Sequence, residues 1–384
     1  MNSQAARRRI EECRDLNAFI SLTDEEGDGP IVAVKDLIHV KGTVTTGGGD
    51  ILPRTVEAED APVVAELRRR GGTVIGKTNL HEWAYGPTND NPHYGPAGNP
   101  HDPTRVSGGS SGGSAVAVAA GMCDWAIGTD TGGSIRIPAA LCGVVGIKPT
   151  RGKVSTEGVI PLSHSLDTVG PLAPNVRTGA EALAMMGVER QADARSAGTA
   201  HRLGIPAGWV EHLDEVVERA WSAVAREIPE VPFPDRERLA AAARTVLFVE
   251  ASAFHRAWLS EDASRYGADV RALLEQGMTV LGVDYLGALE EVNRLKTEVA
   301  ASMENLDAVV LPTVGMIAPP IGGRAERDAF TRFTRPFNTT GQPVVSIPIK
   351  SSGLPVGVQV IGHHGGDWET LQIAASLESV WSPM

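Results

Sequence analysis

The sequence predicts an α/β protein with helices on both faces of a sheet. Two observations carry this reading. Segments with helical periodicity alternate with short runs of apolar β-formers, and those runs are apolar throughout, as strands covered on both sides must be. A third sets the scale: 384 residues, 42% of them hydrophobic, suffice for one large core, although such a length can also divide in two.

The elements follow in order. Ile31, Val32, Ala33 and Val34 form a buried strand that delivers Lys35. Residues 61–70 are helical in period and stop at Gly71 and Gly72, after which Thr73, Val74 and Ile75 form a short strand. Residues 108–113 are glycine and serine, and the small apolar run 115–120 continues as a closely packing helix. Residues 125–127 are a strand leading into Thr131, Gly132, Gly133 and Ser134, and 144–147 are another. The middle, 214–306, is helix-rich. Strands return at 308–311, 344–347 and 356–361, and a helix over 368–380 closes the chain. Residues 188–200 read as a loose connection.

The formal charge of −12 argues against a nucleic-acid partner, which would need a basic face; Arg68, Arg69 and Arg70 read as the solvated end of a helix. Cys13, Cys123 and Cys142 lie far apart and no Cys/His array accompanies them, so neither a metal site nor a disulfide framework is expected, and no cofactor is implied. The N-terminus is polar, with no signal peptide and no apolar run of about 18 residues. A cytoplasmic protein without membrane association is expected, with a homodimer as the default assembly.

Residues 71–78, GGTVIGKT, match the phosphate-loop pattern G-x-x-x-x-G-K-T. Such a loop follows a strand and opens a helix. Here a helix precedes it and its interior is an apolar β-former, so the segment reads as helix, turn and strand, with Lys77 in the loop beyond.

Three segments carry chemistry. Lys35 ends a buried strand, a place where a lysine most often reaches water. Residues 108–114, GGSSGGS, give up backbone entropy at glycines where the chain must turn sharply or approach a ligand closely. Read blandly they are a linker, but an apolar helix follows at once. Residues 130–138, DTGGSIRIP, end a strand in a Gly–Gly turn whose N–H groups can converge on an oxyanion; the bland reading is a turn with a serine cap.

Taken together, GGSSGGSAVAVAAG followed by GTDTGGSIRIPAA resembles the amidase signature family. Ser110 and Ser134 stand 24 positions apart, and Lys35 lies in the matching V-A-V-K-D context. The likeness continues through NLHEWA (79–84), IKPTRG (147–152), SLDTVGP (165–171), FNTTG (337–341) and GLPVGVQ (353–359). It implies a single domain, 1–384, built on a central twisted mixed sheet, with a variable, helix-rich pocket segment at about 190–305.

The resemblance assigns Ser134 as nucleophile forming an acyl-enzyme, Ser110 on a non-proline cis peptide as its hydrogen-bond partner, and Lys35 as the base acting through Ser110. None of the ten histidines falls in the glycine-rich segments. A lysine can replace histidine only if burial lowers its pKa from about 10.4 to about 7–8. Thr131, Gly132, Gly133 and Ser134 are the expected oxyanion donors, and Asp130 and Arg136 the supports of the serine loop. Ala84, Tyr85 and Gly86 match the acyl-pocket wall, with Trp83 beside them a core aromatic. The family's glutamine amidotransferase members usually have glutamine after the arginine; Ile137 stands there, which favours a free-standing amidohydrolase acting on a small carboxamide or urea-like compound. A glutaminase component of an amidotransferase complex is the alternative. A non-catalytic scaffold is opposed by the intact Lys35, Ser110 and Ser134. With 34 residues before Lys35 and a compact segment between Pro171 and Leu311, less protein is expected over the site, or a partner protein completes it.

Overall fold

The computed structural model describes residues 1–190, 201–323 and 326–382. The first half runs α1 (Ser3–Glu12), β1 (Phe19–Leu22), β2 (Ile31–Lys35), α2 (Pro62–Arg69), β3 (Thr73–Thr78), a short pair β4 (Gly98–Asn99) and β5 (Asp102–Val106), α3 (Gly112–Ala119), β6 (Trp125–Asp130), α4 (Arg136–Cys142), β7 (Val145–Lys148), β8 (Thr168–Ala173) and α5 (Val176–Met185). The second adds β9 (Leu203–Pro206), α6 (Glu215–Ala225), β10 (Glu230–Val231), α7 (Arg236–Asp262), α8 (Ala268–Gly277), α9 (Gly282–Met303), β11 (Ala308–Pro312), α10 (Arg327–Thr331), α11 (Pro336–Thr340), β12 (Val344–Ile349), β13 (Val356–Ile361) and α12 (Asp367–Trp381).

Among the described residues one mixed sheet of eleven strands runs through both halves in the order β1-β3-β2-β6-β8-β7-β12-β13-β11-β9-β10. Its central strands bury both faces, as their unbroken apolar character requires. Along β2, Ile31 and Ala33 pack with α3 and α1, while Val32 and Val34 join the larger core formed with α2, α5 and α7. Ala115 and Ala117 let α3 lie close against Ala126 and Leu172 of the sheet. Among the described residues no helix is long and apolar enough to cross a membrane.

The arrangement of β3, β2 and β6 places the site. These strands are mutually parallel neighbours, each reached through a helical crossover, so their carboxyl ends open together. Lys35 ends β2, Thr78 ends β3 and Asp130 ends β6.

Several expectations need correction. The strand beginning at Thr73 extends to Thr78, so Lys77 lies within it, fully buried and 2.7 Å from Asp36, rather than in a loop. Of the three arginines read as a solvated helix end, Arg68 is instead held by Asp60 and Glu25. Strands β1, β8, β9 and β10 and helices α1 and α5 have no counterpart among the expected elements. In the expected loose connection, residues 191–200 lie outside the described residues.

Candidate active site

Lys35 is completely buried, and its Nζ donates to Ser110 Oγ at 2.7 Å, Thr129 Oγ1 at 2.8 Å and Ser111 Oγ at 2.9 Å. Burial lowers its pKa to about 7, against the pull of Asp130 and Asp167, so near neutral pH a large fraction is the free amine. A neutral amine has two N–H bonds and one lone pair, so one of the three hydroxyls must donate to it. Ser111 Oγ already donates to the Thr129 carbonyl at 3.1 Å, whereas Ser110 Oγ, the nearest, and Thr129 Oγ1 have no other partner among the described residues and are free to donate. The Gly109–Ser110 peptide is cis, as the resemblance implies.

The serine loop between β6 and α4 is built around Asp130. Its carboxylate accepts from Gly133 N–H at 2.8 Å, Ile135 N–H at 3.2 Å, both Arg136 Nε and Nη2 at 2.9 Å, and Asn338 Nδ2 at 2.8 Å. Burial alone would raise its pKa, but Arg136 and Asn338 hold it well below the usual carboxylate range. Arg136, buried, reaches on to the Thr334 carbonyl, Gln359 Oε1 and Asn338 Oδ1. Gly133 turns with φ +131, a region that favours glycine. Its N–H, expected among the oxyanion donors, is taken up by Asp130.

Thr131 is fixed by its hydroxyl, which donates to Asp167 Oδ1 at 2.5 Å. Burial pushes Asp167 up to about 6 even though Thr131, Ser163 and Leu162 donate to it. The Ser134 carbonyl accepts from Ser111 N–H at 3.1 Å, which ties the serine loop to the start of α3. The structure therefore brings Lys35 to Ser110 and ties the backbone of Ser134 to Ser111, the residue after Ser110. It records no hydrogen bond between the hydroxyls of Ser110 and Ser134.

Ser134 opens into a cavity of about 350 Å³. Ala84, Tyr85 and Gly86 line it, reached by a turn in which Trp83 and Ala84 take left-handed φ of +53 and +58. Two such non-glycine residues cost about 1–3 kcal/mol each, a cost typical of site backbones. Trp83 does not line the cavity. It packs edge-on to His255 and tilted against Tyr266.

A model of the amidase family matches residues 28–371. This chain belongs to the amidase signature family. As an amidase it is a hydrolase acting on amide C–N bonds. It is 35% identical to the A subunit of the glutamyl-tRNA(Gln) amidotransferase of Halobacterium salinarum, over 94% of this chain and 99% of that one. A crystal structure of an amidase superposes with a TM-score of 0.93 at 34% identity, covering 99% of this chain and 95% of the other. A structure from a vestigial protein complex, one that reveals the evolutionary origins of an s-triazine catabolic enzyme, superposes with a TM-score of 0.91 at 30% identity, again covering 99% and 95%.

Several residues of this amidase's site are supplied by the fold from afar and carry little local signal. Gln359 stands as the lone polar residue in the apolar strand β13, a signal that a buried partner awaits it; that partner is Arg136. Asp167 and Asn338 lie in the matching motifs 165–171 and 337–341, but nothing local assigns them to Thr131 and Asp130. Arg327 and Arg335, which line the cavity, carry no local signature at all.

Proposed function

We propose that this amidase works through a relay in which Ser134 Oγ attacks the amide carbonyl while Ser110 passes its proton to the neutral amine of Lys35. A Ser134 Oγ–carbon bond forms. The C–N bond then breaks as the proton is returned to the leaving nitrogen, and a water activated through the same relay hydrolyses the acyl-enzyme. The N–H groups of Thr131, Gly132 and Ser134 hold the oxyanion. Asp130 and Arg136 keep the loop that presents them in shape. Cavity residues from α7 and α8, such as Leu247, Phe248 and Leu273, support the expectation that the helix-rich segment at about 190–305 supplies part of the acyl-pocket wall.

The observation that carries this reading is a buried lysine with a pKa near 7 whose Nζ lies 2.7 Å from the hydroxyl of Ser110. Ser134→Ala should lower ammonia or amine release by about 10⁴-fold or more while leaving the fold intact. A serine-directed phosphonyl probe should add to residue 134 of the wild type and nowhere else. Labelling at another residue sinks the assignment.

A second reading is favoured by the relatives named as amidotransferase components. On it the chain is a glutaminase that passes ammonia to a partner. It requires glutamine to be the preferred amide and a second protein to co-purify. Ile137, which lines the cavity where those relatives are expected to carry glutamine, weighs against it.

A further inference from the structure

We propose that Thr334 is a positioning residue of the oxyanion site: its hydroxyl locks the peptide between Gly132 and Gly133 so that the N–H groups of Gly132 and Ser134 face the cavity. The proposal rests on the amidase reading of the same site and adds to it a residue 202 positions from Gly132 in the chain.

The peptide between Gly132 and Gly133 has no side chain on either flank, so sterics alone leave its plane free to turn. Two side chains hold it instead, one at each end. Its N–H donates to Asp130 Oδ1 at 2.8 Å, and its carbonyl accepts from Thr334 Oγ1 at 2.7 Å. In a trans peptide these two groups point in opposite directions, so the pins act from opposite sides of the loop. Thr334 is fully buried, and its single hydroxyl hydrogen goes to Gly132 rather than to the Thr331 carbonyl, which lies 3.3 Å away. A side chain on Gly133 would run into the Thr334 hydroxyl, so the same contact requires this glycine, at φ +131.

The two pins are themselves joined. Arg136 donates to both oxygens of Asp130 and, through Nη1 at 2.9 Å, to the Thr334 carbonyl. Thr334 therefore cannot leave the loop without breaking a buried, charge-assisted bond. The next peptide along is held by α4, because the Gly133 carbonyl accepts from Ile137 N–H at 2.7 Å. With those groups occupied, the N–H groups of Gly132 and Ser134 have no acceptor among the described residues, and both residues line the cavity. Unpaired N–H donors on a cavity wall call for an oxygen from the ligand, and a developing oxyanion is the acceptor that the reaction supplies.

Loss of the hydroxyl acts in one direction. The Gly132 carbonyl would then have no donor among the described residues, a costly state in a largely buried loop that turning the peptide relieves. Arg335 Nε, a donor of the cavity wall without a partner among the described residues, stands close by: a methyl group built on Gly132 would lie 3.7 Å from it. Turning toward that nitrogen brings a carbonyl oxygen to the side on which negative charge develops. The oxyanion then meets a like-signed dipole, so the loss falls on the transition state and leaves ground-state binding nearly untouched.

The test uses the full-length protein and two probes that do not depend on the natural substrate. Hydrolysis of p-nitrophenyl acetate gives kcat and KM. A fluorophosphonate gives the rate at which Ser134 Oγ bonds to phosphorus as fluoride leaves, a step that sets an oxygen among the same N–H groups. Thr334→Val, which keeps the shape and removes the hydroxyl, should lower kcat and the labelling rate by about 10- to 100-fold and change KM by less than about threefold. Thr334→Ser should return both rates to within about threefold of wild type. The rise of kcat/KM through about pH 7, set by Lys35, should stay in place in both variants. Thr334→Ala should show the same loss if the valine variant folds poorly. Wild-type rates in folded Thr334→Val or Thr334→Ala, a loss carried by KM, a displaced pH profile or no recovery in Thr334→Ser would overturn the proposal. Failure of the amidase reading would look different: ester turnover or labelling that survives Ser134→Ala, or a wild type inert to both probes, which sinks the relay and this proposal together.

Discussion

Lys35 shows how one residue can be an ordinary strand-end lysine in sequence and a base in three dimensions. The change is made by desolvation, opposed by Asp130 and Asp167. On the proposed relay only the free amine works, so kcat/KM should rise with pH through about 7 and level above it. Lys35→Arg retains the charge but never becomes neutral in this range, and should be as inactive as Lys35→Met. A pH profile of amide hydrolysis checks both. A wild-type profile flat from pH ~6 to ~9, or an active arginine variant, would remove lysine from the role of base.

At the scale of the element, the loop between β6 and α4 is a short segment whose shape is imposed from outside. Asp130 and Arg136 lie six positions apart and bond each other, but Arg136 also reaches α11 and β13. Removing one partner of a buried pair leaves an uncompensated charge, usually at a cost of about 3–5 kcal/mol, whereas removing both can be nearly neutral. Arg136→Leu should therefore lower the denaturant midpoint markedly. Asp130→Asn/Arg136→Leu should recover part of that loss yet remain impaired in hydrolysis, because the Gly133 N–H loses its charged anchor. Chemical denaturation of the two variants, read beside their kcat, checks this. Full recovery of kcat in the double variant would mean the pair serves stability alone.

Across the whole molecule, buried lysines shape how stability depends on pH. Burial lowers Lys35 and Lys148 each to about 7. Between that pH and about 10.4 the unfolded chain binds protons that the native chain does not, so stability rises with pH, by up to about 1.4 kcal/mol per unit for each lysine. Asp167, pushed up to about 6, acts the other way: the native state holds its proton longer than the unfolded one, so stability falls as pH climbs from about 4 to 6. The thermal midpoint should dip near pH ~6–7 and climb toward pH ~9, with a shallower climb in Lys148→Met. Calorimetric melts across that range decide it, and a midpoint falling steadily above neutral pH contradicts it.

Fold class and chemical ingredients are written into the chain locally. Apolar runs such as VGVQVI must become covered strands wherever they land, and their edges are legible to within a few residues at β13, β12 and α12. Lys35, Ser110 and Ser134 are legible because glycine-rich turns and a lysine at a strand end form a pattern local to each segment. Short or half-covered elements such as β1 and β10 are not, since their apolar signal is too brief to separate from a loop. Which side chains meet is settled by the packing of the folded chain. The parallel neighbours β3, β2 and β6 bring Lys35 to Thr129 across 94 positions, and Arg136 finds Gln359 across 223. That packing also decides that the Gly133 N–H goes to Asp130 and that Arg327 and Arg335 share the cavity with Ser134. Such pairings depend on distance and burial, and both come into being only when the sheet closes its strands in an order the chain does not follow.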